Sequence, residues 1–342
     1  MKIRNPGNES RTRHPPLKRV LANFFAACFT FAASVAWAPL WAQGFPNKPV
    51  RIILAVGSSS PGDVRARQIA AKFPEVFGQS LVVENRPGGN SIIAAEAVAR
   101  APADGYTLLM GNNSTHSINP WSFRKMPYRD VEDFAPVTLV SAGPLILAVN
   151  ASLPVRTIGE LITLAKAKPG ELNYGIGGSR GTASVAMEQI KRATGINVVG
   201  VPYKAPGADL MDTISGTISI TFNFWSILEA QVKAGKLRVL AVAGPSRIAA
   251  VPDLPTFAES GIVGVDVFGW QGLFVPAGTP RDVIDRLQKG VAQILQSPTI
   301  RDEIVNVGGI VGGNSPEEFA AFVRADKARM GKAFADMGMT PE

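Results

Sequence analysis

Short apolar runs rich in β-branched residues alternate with longer helical patterns along most of this chain. The runs that predict β-strands are 50–56, 81–84, 107–110, 145–149, 173–176, 218–222 and 237–242. Most of them are apolar on both faces, as expected where helices cover both sides of a sheet. The alternation therefore predicts an α/β fold with a largely parallel, wound sheet.

Three predicted helices begin with the same arrangement of a hydroxyl, a proline and an acid. The hydroxyl belongs to Ser60, Thr279 or Ser315, with proline next and Asp or Glu three residues after the hydroxyl. Proline suits the first helical position, and the acid can complete a capping box. Thr157 and Thr256 begin looser versions that lack the proline. All five hydroxyls are predicted to cap helices.

The first 42 residues have the pattern of a secretory signal peptide. Six basic side chains and one acid lie within residues 1–19, residues 20–38 are almost wholly apolar, and small residues are present at Ala36, Ala38 and Ala42. This order predicts export and cleavage near Ala42. The apolar run is close to the roughly 20 residues that span a bilayer, so an uncleaved anchor is one alternative. Lipoprotein processing at Cys28 is another.

Removal of this segment changes the charge and the available chemistry. It holds six of the 35 basic and one of the 27 acidic side chains, so 29 and 26 remain and the surplus falls from +8 to +3. Such a mild surplus does not predict nucleic-acid binding. Cys28 is the only cysteine, so a chain cleaved near Ala42 has no disulfide or thiol chemistry.

The helix start at Ser60 follows the strand 50–56 through a short loop that contains Ser58 and Ser59. Free backbone N–H groups and the helix dipole attract anions at such a position. The sequence predicts an anion site there; in the alternative, the serines cap the helix and face water.

A catalytic interpretation depends on the GxSxG pattern at 177–181, which matches a hydrolase nucleophile elbow centred on Ser179. The histidine of α/β-hydrolases follows the serine, but here His14 and His116 both precede it. No usual zinc-ligand spacing or phosphate-binding loop is present. We therefore predict no enzyme activity, no metal and no cofactor. A secreted serine esterase is the alternative, and the second interpretation of the pattern is another anion-attracting helix start at Thr182.

Nine landmarks, in order and at consistent spacing, carry a resemblance to a known family. They are FPNKPVRIIL (45–54), VVENRPGGN (82–90), ADGYTLLMG (103–111), THSINP (115–120), DFAPVTLV (133–140), ELNYG (171–175), VPYKAPGADL (201–210), AGKLRVLAV (234–242) and PAGTP (276–280). From about Phe45 to its end, the chain resembles the Bug-type solute receptors, which are the periplasmic binding components of tripartite tricarboxylate transporters.

The resemblance implies a type II periplasmic-binding-protein fold, with two α/β lobes joined by two crossover strands around a ligand cleft. We expect lobe I at 43–140 plus 269–342 and lobe II at 141–268. The ligand would be a small organic acid, such as a mono-, di- or tricarboxylate, an amino acid or an aromatic acid. The expected partners are permease subunits or, for an orphan receptor, a signalling protein, and the receptor is expected to be a monomer. The effector domain of a transcription regulator shares this fold, but the signal pattern and the lack of a basic helix-turn-helix argue against it.

Four loops match the ligand loops of the family: 57–63, 112–116, 177–182 and 222–224. The predicted ligand-binding residues in them are Ser58, Ser59, Ser60, Asp63, Asn112, Ser114, Thr115, His116, Gly178, Ser179, Arg180, Thr182 and Asn223.

Several of these positions leave alternatives open. Arg180 replaces a common glycine, and Ser184 replaces a common histidine. Arg180 either favours an anion in the cleft or points into solvent, and His116 either contacts the ligand or orients its loop. Trp225 and Trp270 either stack on an aromatic acid or pack the hinge.

Overall fold

The computed structural model describes Met1 and residues 44–58, 60–177, 181–203, 207–265 and 267–341. The predicted signal peptide and Cys28 lie outside these ranges, as do Ser59 and residues 178–180 of the third loop. Across the described ranges, no helix has both the length and the apolar character needed to cross a bilayer.

Each predicted run contains a strand, and three further strands are present. The strands are β1 (Val50–Leu54), β2 (Leu81–Asn85), β3 (Thr107–Asn112), β4 (Phe134–Asn150), β5 (Asn173–Gly177), β6 (Val199–Tyr203), β7 (Ile220–Asn223), β8 (Leu237–Ala243), β9 (Phe268–Pro276) and β10 (Ile310–Val311). The helices are α1 (Pro61–Phe77), α2 (Ile92–Ala99), α3 (Asn119–Ser122), α4 (Ile158–Ala167), α5 (Thr182–Thr194), α6 (Ala208–Ser215), α7 (Trp225–Lys233), α8 (Arg281–Leu295), α9 (Pro298–Asn306) and α10 (Pro316–Asp336). A 3₁₀ turn (Gly89–Ser91) precedes α2, and a π-helical turn (Ser114–Ile118) precedes α3.

The strands follow the order β2-β1-β3-β9-β4-β7-β5-β6, and β8 and β10 also pair with β4. Strands β1 with β2 and β3, and β5 with β6 and β7, are parallel. Strand β9 is antiparallel to β3 and β4, and β4 is antiparallel to β7 and β8. The sheet is therefore mixed, and the prediction of a largely parallel sheet was wrong for its centre. Two long strands cross there between the halves, a geometry that alternation along the sequence does not reveal.

Strand β4 divides the molecule. Its residues 134–144 pair with β9, and residues 145–150 pair with β8. The first part belongs to the half that contains β1 to β3, whereas the second belongs to the half that contains β5 to β8. The result is two α/β halves connected through a shared strand.

Helices cover both faces of the strands. Ile52 and Ile53 are neighbours in β1 and point into different apolar clusters, yet both are fully buried. The core of the other half contains Leu147, Val185 and Ile220, together with Phe334 from the end of α10. Burial on both faces explains why the strand runs lack hydrophobic alternation.

Three of the predicted caps form as expected. The Ser60 hydroxyl accepts a hydrogen bond from the Asp63 amide at 3.3 Å, and the Thr157 hydroxyl accepts one from the Glu160 amide at 3.1 Å. Ser315 forms a complete capping box at the start of α10.

Two predicted caps differ. Thr256 and Glu259 exchange capping-box hydrogen bonds of 3.0 and 2.8 Å, but they enclose a turn rather than a helix. The prediction for Thr279 was wrong, because its hydroxyl donates to the Pro276 carbonyl at 2.7 Å and α8 begins after Pro280 without a side-chain cap. The Thr279 hydroxyl therefore belongs to the turn that ends β9 and does not cap α8.

Ser315→Ala is expected to lower the free energy of unfolding by about 1 kcal/mol, because the start of α10 loses its capping hydrogen bonds. Ser297→Ala is the matched control, since Ser297 also precedes a proline-initiated helix but its hydroxyl forms no cap and has no partner among the described residues. Urea denaturation measures both changes. An equal loss in the two variants would contradict the assignment of the cap.

Candidate functional site

A cavity of about 460 Å³ lies where the two halves meet at the crossover strands. Backbone and side chains from both halves line it, including Gly269 and Gln271 of β9. The predicted residues that the structure brings together around it are Ser58, Ser60, Asn112, Ser114, Thr182 and Asn223.

The first wall is the start of α1. This helix has 17 residues, and Pro61 and Gly62 of its first turn line the cavity. A Cβ on Gly62 would lie 3.2 Å from Val56 Cγ2 and 3.6 Å from Gln271 Cγ, so the helix start packs closely on β9. First-turn amides have no partner within a helix, so this end of α1 offers the cavity hydrogen-bond donors and a positive dipole end.

Asp63 does not line the cavity. The residue is 3% exposed, and the Arg67 Nε donates to both of its carboxylate oxygens at 3.1 Å. Asn85 Nδ2 also donates to Asp63 Oδ1 at 2.9 Å and to the Val56 carbonyl at 3.1 Å. Asp63 therefore anchors the first loop to the end of β2.

The second loop is closed by a reciprocal pair of hydrogen bonds. The Thr115 hydroxyl accepts from the Asn112 amide at 2.8 Å, and Asn112 Oδ1 accepts from the Thr115 amide at 3.1 Å. Thr115 is fully buried, whereas Asn112 and Ser114 line the cavity. Thr115 thus shapes the loop that presents its two neighbours.

His116 lies beneath this loop, 1% exposed, with its ring stacked on Phe274 at a centroid distance of 3.8 Å. Its Nδ1 is 2.7 Å from the Thr115 hydroxyl. Burial, assisted by the charge of Lys327, lowers the pKa of His116 to about 3. The ring is neutral at physiological pH and does not line the cavity. Ser179, the serine of the GxSxG pattern, lies outside the described residues.

The remaining predicted residues come from the second half. Thr182 begins α5, a 13-residue helix whose N-cap is Gly181. Ser184 is buried, and its hydroxyl donates to the Gly181 carbonyl at 2.7 Å. Asn223 ends β7 and donates from Nδ2 to the Thr221 hydroxyl at 2.9 Å. Gly178, Ser179 and Arg180 lie outside the described residues.

Two tryptophans considered for stacking have buried side chains. Trp270 is 1% exposed, and its indole N–H donates to Asp326 at 2.7 Å within an aromatic cluster that includes Phe319 and Phe322. Trp225 is packed in an apolar cluster of the second half. Both rings therefore pack within the fold.

The lining also contains residues that were not predicted from the sequence, among them Asp209 and Gln271. Asp209 Oδ2 accepts from the Thr221 hydroxyl at 3.2 Å, and burial raises the pKa of its carboxyl. Gln271 Oε1 accepts from the Ser141 hydroxyl at 3.2 Å across the two crossover strands. Two features of the sequence could have indicated these residues. Asp209 belongs to the landmark VPYKAPGADL, and Gln271 is the polar residue within the apolar run of β9.

A second cavity, of about 420 Å³, adjoins the first. The two share Pro61, Phe224, Ile227, Gly269 and Gln271 as lining residues. Together they provide room along the crossover strands on both sides of Phe224. Among the described residues, no group of three or more His, Cys, Asp or Glu side chains could hold a metal ion.

Comparison with known proteins agrees with this geometry. The family model described as "Tripartite tricarboxylate transporter family receptor" matches residues 65–339. The structure of R. palustris Rpa4515 with adipate has a TM-score of 0.83 and 34% identity, covering 87% of this chain and 100% of that one. The periplasmic binding protein BugD has a TM-score of 0.81 and 26% identity, covering 87% and 100%. MatC from Rhodopseudomonas palustris with bound malate has a TM-score of 0.78 and 27% identity, covering 84% and 99%.

The class of protein is therefore a solute receptor of the type II periplasmic-binding-protein fold, as predicted. The chain belongs to the tripartite tricarboxylate transporter receptor family. This is a family of receptors that includes the Bug proteins, and it is not a class of enzymes.

Gly269→Ala is expected to deform the cavity, because a Cβ there would overlap the Phe224 ring. We expect a loss of about 1–3 kcal/mol in unfolding free energy, as for other overpacked sites, and weaker ligand binding. Gly143→Ala is the matched control: Gly143 pairs with Gly269, but its Cβ would lie 3.5 Å from Gly309 Cα and 3.9 Å from Phe224 Cδ1, which are ordinary contacts. Equal thermal shifts in both variants would refute the role of Phe224 as a wall.

Proposed function

We propose that this protein is an extracytoplasmic receptor that closes on a small carboxylate and catalyses no reaction. The supporting observation is that one cavity is lined by the N-terminal turns of α1 and α5 and by hydroxyl and amide side chains of four loops. Helix starts and hydroxyl donors favour anions. Adipate and malate, which are bound to the similar Rpa4515 and MatC, are both carboxylates.

An anion in this cavity would be held by hydrogen bonds alone, because no lysine or arginine is present among its described lining residues. Carboxylates accept several hydrogen bonds at once, and each bond to a charged group contributes about 1.5–3 kcal/mol. Donors from Ser58, Asn112 and Thr182 come from segments far apart in sequence. A ligand that spans them binds the closed form better than the open one, which is the condition for ligand-driven closure.

We propose lobe boundaries at 43–140 plus 269–342 and at 141–268, with β4 and β9 as the connections. Gly143 of β4 pairs with Gly269 of β9 near both boundaries. Because neither glycine has a Cβ, the Phe224 ring has room to lie against the two strands. The closed receptor, as a monomer, would be recognised by the permease subunits of a tripartite tricarboxylate transporter or by a signalling partner.

A thermal-shift screen followed by calorimetry tests the proposal. Succinate, adipate, malate, citrate and nicotinate are compared with neutral sugars and metal cations, and at least one acid is expected to raise the melting temperature. For the acid that binds best, Ser58→Ala and Thr182→Ala should each lower the affinity about fivefold, since a lost hydrogen bond costs about 1 kcal/mol.

Thr163→Ala is the matched control, because its exposed hydroxyl donates to the Gly159 carbonyl on the surface of α4. It should leave the affinity unchanged. If sugars or cations stabilise the protein while acids do not, the carboxylate proposal is wrong. Turnover of p-nitrophenyl esters that disappears in Ser179→Ala would contradict the absence of catalysis.

We propose that the receptor reaches the periplasm through an N-terminal signal peptide. Expression of the full chain in a Gram-negative host should give a periplasmic product whose intact mass corresponds to a chain that begins near residue 43, because the last of the small residues Ala36, Ala38 and Ala42 directly precedes it. A membrane-bound product that retains residues 20–38 would indicate an anchor. A lipid-modified Cys28 would indicate lipoprotein processing.

A further inference from the structure

Asp209 is the charged side chain among the described residues that line the cavity. Its carboxylate lies in the first turn of α6, in the wall that the second half contributes. An acid is unexpected in a cavity whose other polar groups favour anions. Its position therefore carries information about a second, different group on the ligand.

The structure fixes Asp209 in this wall. A Cβ on Gly175 would overlap Asp209, so the backbone of β5 passes directly beneath the carboxylate. The Thr221 hydroxyl donates to Asp209 Oδ2 at 3.2 Å and in turn accepts from Asn223 Nδ2 at 2.9 Å. Asp209 and Asn223 thus line the cavity side by side, and the fully buried Thr221 holds both.

Thr221 and the backbone amides of Asp209 and Leu210 donate to the Asp209 carboxylate, but no cation balances its charge within the described part of the chain. Burial, together with the charge of Asp212, raises its pKa, and no Lys or Arg of the described ranges pairs with it. The two most deeply buried aspartates differ: Asp63 is bound by Arg67, and Asp326 by Arg329. A desolvated carboxylate without a cation reduces stability, and such groups are concentrated at functional sites.

We propose that Asp209 binds an ammonium group of the ligand, and that the receptor is selective for amino acids over carboxylic acids that lack an amino group. This inference rests on the proposed function, because the carboxylate of the ligand would occupy the helix starts of α1 and α5. A carboxylate without an amino group would leave Asp209 unpaired, and a diacid would place a second negative charge beside it. An amino acid satisfies both sets of groups.

The charge of Asp209 determines the direction in which the affinity for an amino acid should change with pH. Protonation of Asp209 removes its attraction for an ammonium group, so the affinity for an amino acid should fall as the pH is lowered. Among the described groups, Asp212 on the same helix is the titratable neighbour that acts on it, and Asp212 accepts a hydrogen bond from the Tyr203 hydroxyl at 2.6 Å. If a protonated Asp209 instead donated to a ligand carboxylate, the affinity would rise on acidification.

The test uses the mature chain and matched pairs of ligands that differ in the amino group. The pairs are glutamate with glutarate, aspartate with succinate, leucine with 4-methylpentanoate, and phenylalanine with 3-phenylpropionate. A thermal-shift screen of these pairs and of the other common amino acids identifies binders, and calorimetry measures affinity at pH 5 and 7.5. We expect at least one amino acid to bind more tightly than its partner without the amino group.

Asp209→Asn keeps an oxygen that can accept from Thr221 but removes the charge. It should lower the affinity for the amino acid by about 30-fold or more, as when one member of a buried charge pair is removed. Asp212→Asn is the matched control: it removes an acid from the same helix whose side chain does not line the cavity, and the affinity should stay within about twofold.

The stability of the ligand-free protein provides a second readout. A carboxyl whose pKa is raised on folding favours the folded state less as the pH rises through that pKa. Asp209→Asn should therefore raise the melting temperature of the ligand-free protein at pH 7.5 while it weakens binding. A purely structural Asp209 would give a lower melting temperature in the variant.

The possible outcomes separate this inference from the proposed function. If acids without an amino group bind as tightly as amino acids, or better at pH 5, the receptor function stands and the role of Asp209 is refuted. Unchanged affinity for the amino acid in Asp209→Asn refutes it as well. If no acid of either kind binds, both the inference and the carboxylate function are wrong.

Discussion

The hydrogen-bonded pairing of β4 with β9 is the constraint on which the rest of the structure depends. Because β9 also pairs with β3, and β4 also pairs with β7 and β8, these two strands join both halves in one sheet. They therefore bring helix starts and loops from both halves to one cavity. Phe224 packs closely on Gly269, and the start of α1 packs closely on Gln271. Little space therefore separates β9 from these two parts of the cavity wall.

The groups that would favour an anion in the cavity are backbone amides, hydroxyls and helix dipoles. Such donors are fixed by the fold, so little rearrangement is needed when a ligand replaces water. The residues beneath the loops perform this fixing. Asp63 anchors the first loop, while Thr115 and the neutral His116 support the second. Asp209 differs from them because its charge faces the cavity unbalanced by a described cation.

The sequence predicted the strands and most helix starts well, because apolar runs and capping patterns are local signals. It missed β6, a partly exposed strand that contains Gly200 and Pro202, and the two-residue strand β10. It also missed β9, whose antiparallel course depends on partners distant in sequence. Residues from all four predicted loops line the cavity, but the sequence did not indicate which side chains face it. A polar residue in a loop can face the ligand or support the backbone, as Asn112 and Thr115 do, and only three-dimensional packing distinguishes the two. Asp209 was missed because an acid in the first turn of a helix is common without any ligand.

Helix α10 has a mechanical consequence. Phe319, near its start, packs in the core of the half that contains β1, whereas Met330 and Phe334, near its end, pack in the core of the other half. Arg192 of α5 also approaches Asp336 at 3.8 Å. If β4 and β9 were the only connections, the two halves would separate without this restraint. Because α10 is packed in both cores, it restricts this motion. Separation of the halves would have to bend the helix or move its last turns along the second core. The C-terminal end of the chain would thus limit how far the two halves separate before the ligand binds.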